Sequence, residues 1–168
     1  MTAGERLFFY LWDISQKNKN VRAASVFISK ASRPFFFIAY SCAGVFLFLK
    51  TRALTCRTAA FILVPLAVIA VSLLLRRILK RPRPSAKAGI VPLIKTDGPY
   101  SRPSNHAASS AAITAACMAV SLPLGIFLFS VALLTGVSRV MTGAHYPFDV
   151  AAGWLLGAGF GVIFLFVK

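Results

Sequence analysis

Acidic residues are almost missing from this chain. Four of its 168 residues carry a carboxylate, namely Glu5, Asp13, Asp97 and Asp149, against 19 lysines and arginines. So few carboxylates exclude a carboxylate cage for magnesium, and metal-independent chemistry with no cofactor is expected. Histidine is as scarce: His106 and His145 are the only two, and without a third ligand they make a poor zinc site. The three cysteines, Cys42, Cys56 and Cys117, match no zinc or redox spacing and read as small buried residues. Charge of either sign is low at 14%, while 58% of residues are hydrophobic. A soluble domain of this size could not hide so much apolar surface, so the chain reads as a membrane protein.

The apolar residues come in four blocks free of Lys, Arg, Asp and Glu: Pro34–Leu49, Thr58–Leu75, Pro103–Ser138 and Val150–Val167. A span needs about 20 residues. The third block has 36 and therefore divides into two helices, with Leu122-Pro123-Leu124-Gly125 as the natural break. The second of these helices then ends near Thr142-Gly143. The expected fold is a single all-α domain over 1–168, a polytopic membrane bundle of about five spans. Residues 1–32 form an N-terminal segment. Within it Leu7, Phe8, Leu11 and Trp12 recur at helical spacing and predict an amphipathic helix lying in the interface. Its apolar stretch is too short, and too closely followed by Asp13, for a signal peptide. A sixth span is possible if the N-terminal segment crosses the membrane, with 21–49 interrupted by Lys30 and Arg33.

A net charge of +15 admits a nucleic-acid partner, but the basic residues flank spans rather than lining one soluble face. Anionic lipid headgroups are the expected partner, and nucleic acid is not. Nothing in the sequence sets an oligomeric state. With five spans, the N-terminus, the loop at 76–103 and the turn at 139–149 share one membrane face. Three separated polar clusters therefore meet there.

The first cluster holds Arg76 and Arg83-Pro84. Guanidinium forks fit phosphate oxygens and keep their charge, although basic residues at a span end also follow from the positive-inside rule. Arg102-Pro103-Ser104-Asn105-His106 is the second, ahead of AASSAAITAA. Ser104 is an N-cap candidate, and a helix start with free N–H groups can hold an anion. The third runs from Ser138-Arg139 to His145 and Asp149. Asp149 lies four residues beyond His145, where it can accept a hydrogen bond from the imidazole and leave the other nitrogen nucleophilic. Its bland role is to favour a helix N-terminus. Ionisable groups at membrane depth are costly and usually functional.

Together these residues fit phosphoryl transfer. His145 would attack phosphorus with Asp149 orienting its ring, and His106 would serve as general acid and then base. Arg76, Arg83, Arg139, Ser104, Asn105 and nearby amides would hold the phosphate oxygens.

The pattern resembles the type-2 phosphatidic acid phosphatase superfamily, related to the vanadium haloperoxidases and marked by K-x6-R-P, P-S-G-H and S-R-x5-H-x3-D. Here the motifs read Arg76-x6-Arg83-Pro84, Pro103-Ser104-Asn105-His106 and Ser138-Arg139-x5-His145-x3-Asp149, all within residues 76–149. Arg76 stands where lysine is usual and Asn105 where glycine is usual. The resemblance implies a membrane lipid phosphatase that uses a phosphohistidine. Its substrate would be a polyprenyl (undecaprenyl) diphosphate, phosphatidylglycerophosphate, phosphatidic acid or a sugar-phosphate lipid, in a bacterial plasma membrane. Headgroup choice is expected from 85–102, with Lys95, Asp97 and Tyr100 as candidates. A non-catalytic protein binding anionic lipid is the rival of another class. A haloperoxidase is disfavoured by the membrane-embedded chain.

Overall fold

The computed structural model describes residues 1–53, 55–96 and 98–167. Among these residues the protein is all-helical, with seven α-helices, a terminal 3-10 turn and one isolated bridge between Pro82 and Tyr100. The helices are α1 (Ala3–Lys17), α2 (Lys19–Thr51), α3 (Cys56–Leu79), α4 (Pro84–Ala88), α5 (Asn105–Val120), α6 (Leu122–Met141) and α7 (Pro147–Gly161). Four segments are long and apolar enough to cross a membrane: α2, α3, α6, and α7 with its 3-10 extension.

The fifth expected span is α5. Its 16 residues rise about 24 Å, short of a hydrocarbon core of about 30 Å. It is the central helix, packed against α3, α6 and α7, and its alanines Ala107, Ala108, Ala112 and Ala116 are fully or almost fully buried. Small side chains are what let the neighbours close around it. On α7, Gly153, Gly157 and Gly161 face α5 at one-turn intervals. A Cβ at Gly153 would lie 2.6 Å from the Ser104 carbonyl, and one at Gly157 would run into the Ala108 carbonyl. Helices that associate in lipid gain from this close approach.

Local chemistry sets the helix ends near where the sequence places them. Between α5 and α6 Ser121 caps both helices, and Pro123 opens α6. Thr142 caps the other end of α6, followed by Gly143 at φ +75°. Pro147 begins α7. The N-terminal segment differs from expectation. Asn18 ends α1 and its side chain caps α2, which then runs unbroken through Lys30, Arg33 and Pro34. Residues 19–32 thus continue the first spanning helix. The cation pair does not interrupt it: Lys30 and Arg33 are exposed, and both line a cavity beside His106 and Arg139. The cysteine expectation holds for Cys117, which is buried; Cys42 and Cys56 are exposed on the outer surface.

Helix α1 is amphipathic, with a capping box between Thr2 and Glu5. Phe8 and Trp12 pack with Tyr146 and Val150 at the start of α7, while Leu7 and Tyr10 stay exposed. Lys87 of α4 holds Glu5 at 2.5 Å. That contact draws the Glu5 carboxyl down to about 2. The N-terminal helix therefore lies against the end of the bundle where the polar clusters meet.

Candidate active site

Three loops converge at that end. The strand-like stretch after α3 is pinned to the segment before α5: Ser101 N–H donates to the Arg81 carbonyl at 2.9 Å, and the Ser101 hydroxyl donates to Arg81 and Pro82 carbonyls. Leu93 N–H donates to Thr142 O, tying the same loop to the α6–α7 turn. Ser104 N–H donates to the Asp149 carbonyl, which joins the start of α5 to the start of α7. Backbone bonds thus align the motifs before any side chain is considered.

His145 occupies the α6–α7 turn and is 1% exposed. Its Nδ1 lies 2.8 Å from the Ser101 carbonyl, and its Nε2 lies 3.5 Å from Arg83 Nη1. A carbonyl only accepts, so Nδ1 carries the proton and Nε2 keeps its lone pair. Burial holds the imidazole well below the usual histidine range, and the charges of Arg139, Arg83, Arg76 and His106 push in the same direction. The ring is therefore neutral at ordinary pH, the state a nucleophile needs.

The three arginines around it are buried. Arg76, at the end of α3, donates from Nε to the Pro103 carbonyl at 2.8 Å. Arg83 donates to the Gly98 and Ala144 carbonyls. Arg139, in the last turn of α6, reaches Ser29 of α2. Gathering permanent positive charges in one buried place costs free energy that an anion would offset. Ser104 caps α5 by position only: its hydroxyl is buried and has no hydrogen-bond partner among the described residues. Asn105 accepts from Ser72 at 2.5 Å through Oδ1, which turns its amide nitrogen to donor duty. His106, on the first turn of α5, is half-buried and lines two cavities, of about 460 and 310 Å³. Arg33 lines both as well, and the smaller one adds Lys30, Lys95 and Arg139.

The expectation that Asp149 holds the His145 ring is corrected by these contacts. Asp149 is fully buried, and its carboxylate accepts from Arg81 at 2.9 Å, from Arg102 at 3.0 Å and from the Tyr146 amide at 3.0 Å. As the third residue of α7 it folds back on its own helix start, and two guanidiniums saturate its outer oxygen. The Ser101 carbonyl takes the orienting position instead. Arg81, which also stacks on Tyr146, and Ser101 were not singled out in the sequence. Arg81 had one available signal, its place in a basic run between two motif residues. Of the expected headgroup residues, Lys95 lines the smaller cavity, Tyr100 pairs with Pro82, and Asp97 lies outside the described residues.

The architecture and the pocket define a class: a multi-pass, all-helical membrane protein with a buried histidine ringed by arginines. The chain belongs to the PAP2 superfamily, whose family model matches residues 55–167. It is 40% identical over 98 residues to the decaprenylphosphoryl-5-phosphoribose phosphatase of Mycobacterium tuberculosis, covering 56% of this chain and 51% of that one. To an undecaprenyl-diphosphatase of Bacillus subtilis it is 30% identical over 99 residues, covering 59% and 51%. The chain spans about half the length of the curated relatives it matches. A crystal structure of a transmembrane PAP2-type phosphatidylglycerolphosphate phosphatase from Bacillus subtilis shares the fold, with a TM-score of 0.64, 21% identity, and coverage of 98% of this chain and 95% of that one.

Proposed function

We propose that this protein is a lipid phosphatase that removes the terminal phosphate of a polyprenyl diphosphate, with undecaprenyl diphosphate the first candidate, in a bacterial plasma membrane. The observation that carries the reading is His145. Its Nδ1 is committed to a carbonyl, its Nε2 faces Arg83, and two further buried arginines and His106 act on it. Two relatives named for polyprenyl-linked phosphates favour the carrier lipid over phosphatidic acid or phosphatidylglycerophosphate.

In the proposed reaction, the terminal phosphoryl group binds among Arg76, Arg83 and Arg139, with Ser104, Asn105 and the first amides of α5 completing the cradle. The Nε2 lone pair attacks phosphorus in line with the bridging oxygen. As that P–O bond breaks, His106 gives its proton to the departing lipid phosphate. His106 then takes a proton from water, whose oxygen displaces His145 from phosphorus and releases inorganic phosphate. No step draws on a metal ion.

The test is phosphate release by the detergent-purified chain with EDTA present, over polyprenyl diphosphate, a polyprenyl-linked sugar phosphate, phosphatidylglycerophosphate and phosphatidic acid. The expected result is turnover that persists in EDTA and a kcat/KM highest for the polyprenyl diphosphate. Turnover abolished by EDTA, or a preference for a glycerol-based lipid, contradicts the reading. The non-catalytic alternative requires that His145→Ala change nothing.

A further inference from the structure

Arg81 reaches His145 by two separate routes. Helix α3 ends at Lys80 in the left-handed conformation, with φ +45°, and the chain turns there to run beside the segment before α5. The Arg81 carbonyl accepts the Ser101 N–H at 2.9 Å, and the Ser101 carbonyl in turn accepts from His145 Nδ1 at 2.8 Å. That is the main-chain route to the imidazole. The side chain takes the other. Its guanidinium lies over the Tyr146 ring, with Cζ 4.8 Å from the centroid, and its Nη1 donates to Asp149 Oδ1 at 2.9 Å. Asp149 Oδ2 accepts from the Tyr146 amide at 3.0 Å. Tyr146 directly follows His145, so this route fixes the backbone from which the imidazole projects.

We propose that Arg81 is a positioning residue for His145, holding both the backbone of its turn and the acceptor of its Nδ1 proton. The kinetic part of the inference rests on the phosphatase reading. Attack on phosphorus needs the Nε2 lone pair, and a fixed acceptor at Nδ1 keeps the proton off Nε2. A guanidinium is planar, so one group can lie flat on the Tyr146 ring and still send a donor to the carboxylate. Arg102 reaches the same carboxylate oxygen at 3.0 Å. Among the described residues, however, it neither stacks on Tyr146 nor accepts from Ser101. Removing Arg81 leaves Asp149 paired with Arg102 and the Tyr146 amide, so the buried carboxylate keeps partners.

Two readouts on the detergent-purified chain test this. Phosphate release from undecaprenyl diphosphate gives kcat and KM, and nitrogen-15 NMR of histidine-labelled protein in mildly alkaline buffer gives the His145 tautomer. In Arg81→Ala, kcat falls about a hundredfold, the scale of a small misplacement of a reacting group, while KM is unchanged because the phosphate cradle is intact. The His145 signals, those of an Nδ1–H ring in the unsubstituted chain, shift toward a mixture of Nδ1–H and Nε2–H forms. Arg81→Gln keeps a donor for Asp149 but no cation for the Tyr146 ring. It shows the same two changes in smaller measure and carries the test if Arg81→Ala does not fold. An unchanged kcat in the folded variant overturns the assignment. So does a kcat loss with Nδ1 still fully protonated, since a support of the fold alone leaves the tautomer untouched. Absence of phosphate release by the unsubstituted chain overturns the phosphatase reading, and the NMR comparison then still decides whether Arg81 positions His145.

Discussion

His145 is buried and neutral because desolvation and the surrounding guanidiniums oppose its protonation. Its imidazole should titrate below 6.5, which nitrogen-15 NMR of histidine-labelled protein, assigned with His145→Ala, will read directly; titration at or above 6.5 contradicts the site. The same shift lowers stability in acid. Below about 6.5 the unfolded chain binds a proton that the folded chain refuses, so stability falls as pH drops through that value toward the folded one. Ser104 gives a second residue-scale expectation. A buried hydroxyl without a partner costs about 1–3 kcal/mol, so Ser104→Ala should keep or raise the melting temperature while lowering phosphate release. Concurrent loss of both would assign the hydroxyl a structural bond. The eight candidate site residues could be singled out because side-chain type and chain spacing carry them, although the contacts Asp149 makes differ from those expected. The Ser101 carbonyl was not, since a main-chain acceptor leaves no residue-type signature. The partners of Asp149 were hidden for another reason: Arg81 and Arg102 are brought to it by loop closure over 68 and 47 residues.

At the scale of elements, the α5–α7 contact positions the chemistry. Its glycines bring Ser104 and His106 to the start of α7, where His145 and Asp149 lie. Gly157→Ala must push backbone against backbone and should cost about 1–3 kcal/mol, together with a large drop in kcat, read by thermal melting and phosphate release. Gly159, which faces open space, tolerates alanine. If Gly157→Ala and Gly159→Ala behave alike, close helix approach does not set the site. The small-residue spacing was present in the sequence and outweighed there by the polar motifs. Helix α1 is an additional support: Phe8→Ala removes a fully buried ring packed on Tyr146 and should destabilise by about 3–5 kcal/mol. The helix ends at Ser121, Thr142 and Pro147 were readable from proline and glycine placement. The continuity of α2 was not, because Lys30 and Arg33 look like interruptions in a hydrophobic run, whereas both lie on the helix and line a cavity.

For the whole molecule, the proposed topology has α2, α3, α5, α6 and α7 alternate in direction, which would put the three distant motifs on one membrane face. Cysteine labelling should find Ser85→Cys and Thr51→Cys, in a cysteine-free background, on opposite sides; labelling from one side contradicts the topology. The fold class was legible from uncharged block lengths alone, whereas the cavities beside His106 were not, since they depend on which helix faces pair. The central claim concerns where phosphorus is bound during turnover. Rapid quench of the chain with terminally labelled polyprenyl diphosphate, at alkaline pH to preserve a phosphoramidate, followed by proteolysis and mass mapping, measures it directly. The account predicts the label on His145 and none in His145→Ala. Label on another residue, or turnover retained by His145→Ala, would contradict it.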